Sequence, residues 1–120
     1  MLLPSQLMRG AVQKGYAAVG TDMGHVSEAD VDASWALNAP EKIRDYGWRA
    51  NHVGAETAKQ VIAAFYENPL AASYFHGCSD GGRQALTLAQ RYPADYDAII
   101  AGAPAMPWTR MASAFANNAV

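Results

Sequence analysis

The apolar positions change period several times along the chain. Between residues 5 and 14, Leu7, Met8, Ala11 and Val12 recur at helical spacing, with Ser5 placed to cap the helix and Gly15 to end it. Residues 16–20 (YAAVG) are a short, mostly apolar run of the kind buried in a parallel sheet. Thr21, Asp22, Met23, Gly24 and His25 follow with loop chemistry, and residues 26–45 are polar and irregular around Pro40. From 46 to 66, Tyr46, Ala50, Val53, Thr57, Val61, Ala64 and Phe65 line one face of a long helix, closed by Asn68 and Pro69. A second strand is expected at 73–76 (SYFH), a glycine-rich turn at 77–82, and a helix at 83–91 before Pro93. A third strand covers 96–101 (YDAIIA), a loop 102–107, and a last helix begins at Trp108 behind Pro107.

Strands separated by helices pair in parallel through crossover connections. The fold class is therefore α/β, with about three parallel strands and helices on both faces. No repeat, low-complexity stretch or linker divides the 120 residues, so they are read as one domain.

Composition narrows the function classes. About half the residues are apolar, which suits a buried core. The net charge is −2 with both signs interspersed, so no basic stripe offers itself to nucleic acid or to an anionic membrane. No apolar run approaches the roughly 20 residues of a membrane helix. The opening MLLPSQLMRG lacks the charged and then long apolar regions of a signal peptide. Metal-ligand spacing is absent, and the glycine-rich turn lacks the Lys-Ser/Thr of a phosphate-binding loop. The three tryptophans read as packing residues rather than a pocket lining.

The chemistry concentrates at Gly77-Cys78-Ser79-Asp80-Gly81, which matches G-x-S-x-G between a strand and a helix. That arrangement puts a serine at the tip of a strained turn. Gly77, Gly81 and Gly82 are expected to let strand and helix approach closely. The helix that follows aims its first N–H groups at charge developing beside Ser79, and the Asp80 N–H is the expected oxyanion donor. The motif alone is a weak signal, and its setting between an apolar strand and a helix is the confirming context.

A serine nucleophile needs a base and an acid that orients it. His76 lies in the strand before Ser79 and is expected to pack against the sheet. His52 falls mid-helix among polar neighbours. His25, on a loop with Asp22 three residues earlier, is the tempting base. It is rejected because the α/β-hydrolase order is nucleophile, acid, then histidine. With strands about 4.8 Å apart and one strand between them, its loop would also sit roughly 10 Å from the serine. Asp22 and His25 are instead read as a local structural pair.

The segment SYFHGCSDGGRQALTLAQRYPADYDAIIAGAPA resembles the nucleophile region of the tannase and feruloyl esterase family. GYAAVGTDMGH is similar to that family's upstream strand, and WALNAPEKIRDYGWRANHVGAETAKQVIAAFY to its connecting helix. The resemblance runs from about Gly15 to Trp108. It implies a secreted or periplasmic carboxylic ester hydrolase of the α/β-hydrolase type, acting through an acyl-enzyme on small, often aromatic, acid esters. Ser79 is then the nucleophile and Asp80 supplies a backbone oxyanion donor. By the same resemblance Cys78, the single cysteine, pairs with a cysteine beside the catalytic histidine, outside this chain.

Family members are several times longer. The second oxyanion donor is expected before residue 1. The catalytic Asp and His, and a lid with a calcium site, are expected after Val120. No cofactor is expected in the chain itself, which reads as a partial frame opening on an internal methionine. Its incomplete sheet should leave unpaired edges and exposed apolar faces. Two other readings stay open: different α/β-hydrolase chemistry, such as a peptidase or acyltransferase, and a non-catalytic α/β fragment.

Overall fold

A computed structural model of the chain describes residues 4–27 and 32–118. The residues form two compact units, Met1–Ala71 and Ala72–Val120.

The first unit is helical. Helix α1 spans Pro4–Val12. Ser5 therefore lies inside the helix and not at its cap. A 3-10 turn covers Ser34–Ala36, α2 Pro40–Arg44, a π-helical turn Asp45–Arg49, and α3 Ala50–Tyr66. The last three run on without a break. The long helix thus begins six residues earlier than its apolar pattern suggests, with a proline at its start, where a missing N–H costs nothing. In the π-helical turn the Ala50 N–H reaches back five residues to the Asp45 carbonyl. Arg49 fastens the turn, its Nε 2.6 Å from Asp45 Oδ1 and its Nη1 2.7 Å from Glu41 Oε2.

Residues 16–20, expected as a strand, form no ladder among the described residues. A strand exists through hydrogen bonds to a neighbouring strand, and the described residues of the first unit contain none. Ala17, Ala18 and Val19 instead line an apolar groove with Val53, Val61 and Ile62 of α3. Much of the apolar face of α3 stays exposed, Phe65 at 76%.

The second unit is a β-α-β module. Strand β1 (Tyr74–Cys78) pairs in parallel with β2 (Ala98–Gly102), and α4 (Asp80–Arg91) makes the crossover. Tyr74 stands opposite Ala98 and Cys78 opposite Gly102. The α/β class holds, with two paired strands where three were expected. α4 begins three residues earlier than expected, so Asp80, Gly81 and Gly82 are helix and not turn. Its Ala85 and Leu88 supply the core, Leu88 at 1% exposure. The strands alternate as a one-sided sheet does. Phe75 and Gly77 turn inward, while Tyr74, His76 and Cys78 are exposed. Ile100 is 62% exposed on β2. Helix α5 (Trp108–Asn118) ends the unit.

Candidate active site

Ser79 sits between the last residue of β1 and the first of α4, with φ +59° and ψ −117°. A side chain at positive φ costs on the order of 1–3 kcal/mol, so such a geometry persists only where its surroundings over-determine it. Three backbone bonds do so here. The Ser79 N–H donates to the Gly102 carbonyl at 3.0 Å. The Ser79 carbonyl accepts from the Arg83 N–H and from the Ala105 N–H, each at 3.1 Å. The elbow is thus gripped by the first turn of α4 and by the loop after β2. The serine itself is exposed.

The glycines divide the labour unevenly. A Cβ on Gly77 would run into the backbone carbonyl and Cα of Gly81. A Cβ on Gly82 would strike the Gly102 carbonyl oxygen and lie 2.8 Å from Pro104 Cα. Both positions therefore require glycine for close approach, as the sequence suggested. Gly81 does not: a Cβ there meets nothing within 4 Å. It is the backbone of Gly81, not a missing side chain, that Gly77 has to clear.

Asp80 opens α4. First-turn N–H groups have no acceptor within their own helix, which suits the Asp80 N–H to an oxyanion. Its carboxylate is turned into the helix. Arg83 Nε donates to Oδ1 at 2.7 Å, Arg83 Nη2 to Oδ2 at 3.3 Å, and Gln84 Nε2 to Oδ2 at 2.9 Å. Arg83 is buried at 7% exposure. This cluster was not singled out from the sequence, although the Asp-x-x-Arg spacing on a helix start was available to find it.

Cys78 carries a free, exposed thiol, and its Sγ lies 3.4 Å from where a Cβ on Gly102 would stand. The disulfide partner implied by the resemblance lies outside this chain, which has one cysteine.

No histidine is placed as a base for Ser79 within its own unit. His76 is exposed on the β1 face opposite Phe75 and Gly77, and so is not packed against the sheet as expected. His52 is half-buried, with Nε2 3.4 Å from Glu56 Oε2 one helical turn on. His25 belongs to the first unit. Its ring stacks on Trp35 at 3.8 Å and meets Tyr46 edge-on at 5.5 Å. The His25 backbone N–H donates to the Asp22 carbonyl at 3.3 Å, while Asp22 Oδ1 accepts from the Gly24 N–H at 2.9 Å. Asp22 and His25 thus bond locally, through the backbone of one turn, and Trp35 packs on the His25 ring. Among the described residues no three His, Cys, Asp or Glu side chains cluster to hold a metal, and no helix is long and apolar enough to cross a membrane.

Comparison with known proteins agrees with this geometry. Residues 4–119 match the family described as Tannase and feruloyl esterase. Feruloyl esterase B of Aspergillus niger is 40% identical over 103 residues, covering 86% of this chain and 19% of that protein. An uncharacterized esterase of Xanthomonas campestris is 41% identical over 102 residues, 85% of this chain and 18% of its own length. The crystal structure of feruloyl esterase B from Aspergillus oryzae superposes with a TM-score of 0.81 at 36% identity, covering 88% of this chain and 21% of that one. The chain therefore spans about a fifth of the length of the relatives it matches. With a strained serine at a strand-to-helix elbow and a match over nearly every residue, the chain belongs to the tannase and feruloyl esterase family.

Proposed function

We propose that this chain is the nucleophile-bearing part of a carboxylic ester hydrolase whose substrates are small esters of aromatic acids. The observation that carries the reading is Ser79 itself: a positive-φ serine at the β1–α4 junction, locked by three backbone hydrogen bonds. Ser79 Oγ attacks the ester carbonyl carbon and its proton passes to a histidine base from the remainder of the enzyme. The Asp80 N–H donates to the oxyanion of the tetrahedral adduct. Collapse expels the alcohol and leaves an acyl-Ser79, which water then hydrolyses to the acid. Cys78 joins a cysteine near that histidine and staples the two catalytic loops. No cofactor is assigned to this chain. The enzyme is secreted or periplasmic, where such a disulfide persists.

The test is a chimera in which this chain replaces the matching segment of the Aspergillus niger feruloyl esterase B. Turnover of methyl ferulate and labelling of Ser79 by a fluorophosphonate are expected, and Ser79→Ala should abolish both. A folded Ser79→Ala chimera that keeps its esterase turnover would refute the assignment. Preference for an amide substrate, or for transfer to an alcohol over water, would instead identify peptidase or acyltransferase chemistry at the same serine.

A further inference from the structure

The first residue of α4 presents an electrostatic problem. Asp80 contributes the backbone N–H proposed for the oxyanion, yet the same residue carries a carboxylate. An ionised carboxylate suits a helix N-terminus in the resting protein. During acyl transfer it stands one residue from a second developing negative charge, within about 5–7 Å of it by covalent reach. In a partly buried setting that repulsion is large enough to slow the reaction on the order of tenfold to a hundredfold.

The structure supplies a counter-charge. The Arg83 guanidinium grips both Asp80 oxygens, Nε at 2.7 Å and Nη2 at 3.3 Å, in a forked arrangement. Gln84 Nε2 adds a third donor at 2.9 Å. Arg83 is 7% exposed, so its charge is poorly screened by water. Its own backbone N–H holds the Ser79 carbonyl at 3.1 Å, and its carbonyl accepts from Thr87 Oγ1 at 2.9 Å. Arg83 is thus tied to the elbow twice, by its guanidinium to Asp80 and by its backbone N–H to Ser79.

We infer that Arg83 is a positioning residue that neutralises Asp80 and turns its carboxylate away from the oxyanion, so that the Asp80 N–H alone faces the reacting carbonyl. The inference rests on the esterase reading above. It assigns Arg83 a role in kcat and not in substrate binding, because the repulsion it removes exists only when the oxyanion forms.

The experiment uses the chimera, with folding checked by far-UV circular dichroism. Arg83→Gln is expected to lower kcat for methyl ferulate about 10- to 100-fold and to leave KM within about threefold. Arg83→Lys, which keeps the charge, should lose less. Adding Asp80→Asn to Arg83→Gln should recover at least about tenfold, since the carboxylate that needed neutralising is gone. A purely structural Arg83 would show no such recovery. A folded Arg83→Gln enzyme at parental kcat, or a double variant no faster than Arg83→Gln, overturns the inference. Should Arg83→Gln alone not fold, the double variant carries the test against the parent: kcat within about tenfold supports the inference, and a larger loss overturns it. A folded, inactive parent chimera refutes the esterase reading itself, and this inference with it. An active parent indifferent to Arg83→Gln refutes only the inference.

Discussion

Gly77 and Gly81 flank the same serine in one motif, and substituting each by alanine should have opposite effects. A Cβ on Gly77 meets the backbone of Gly81, with Cα at 2.8 Å and the carbonyl closer still. Backbone cannot rotate aside as a side chain can. Nor can the first turn of α4 slide away, because Arg83 N–H is bound to the Ser79 carbonyl and Gly82 is pressed against Gly102 and Pro104. Overpacking costs about 1–3 kcal/mol, and an unyielding obstacle puts Gly77→Ala at the upper end, about 3 kcal/mol. That lowers the folding constant roughly 150-fold. Gly81→Ala meets nothing within 4 Å and lies on a helix, where alanine is favoured over glycine by about 0.5–1 kcal/mol. The two variants should therefore differ by about 4 kcal/mol. Urea unfolding of the chimera reads this directly: for a slope near 3 kcal/mol/M, Gly77→Ala shifts the midpoint down by about 1 M while Gly81→Ala leaves it level or raises it. A Gly77→Ala midpoint equal to the parent's would refute the close approach of β1 and α4 on which the elbow rests.

Three further expectations follow from the geometry. His25→Ala should cost about 1 kcal/mol through its lost stacking on Trp35 and leave kcat within about twofold; a collapse of kcat in a folded variant would restore His25 as a catalytic base. Tyr96 is pushed up to about 12 by burial, with the charge of Asp95 adding to it. The stability it contributes is complete below the ordinary phenol value near 10 and is lost as pH rises toward 12. The 295 nm difference titration of parent minus Tyr96→Phe should therefore have its midpoint near 12, and a midpoint near 10 would show that the phenol is not buried. The hydrogen bond from Arg49 holds Asp45 below its usual carboxylate value of 3.8, so its contribution is present above that value and fades as pH falls through the lower folded one. Asp45→Asn should flatten the acid limb of helix content followed by circular dichroism, and an unchanged limb would place that acid sensitivity elsewhere.

The elbow was legible in the sequence because its requirements are local. Ser79 between a short apolar strand and a helix, with Gly77 before it and Gly81 and Gly82 after it, reads directly as a strand-to-helix turn. β1, α4 and β2 were each anticipated to within a few residues for the same reason, since their apolar periods report which face is buried. Pro40 falls in a stretch whose polar, irregular sequence suggests no helix, yet it starts one, because a proline's meaning depends on whether its missing N–H falls in a first turn.

What tertiary structure alone decided lies between residues distant in sequence. The run at 16–20 has strand composition yet no ladder, since a strand needs a neighbour and composition cannot supply one. Gly81 looks equivalent to Gly77 in the motif, and only the packing of α4 on β1 shows that one needs its missing side chain and the other does not. The bonds from Ser79 to Gly102 and Ala105 join segments more than twenty residues apart and hold the serine in a conformation that it would not keep alone. The sequence thus determined which serine stands at the strand-to-helix elbow. The fold determined that its strained conformation persists, because backbone strain survives only where neighbouring chain segments enforce it.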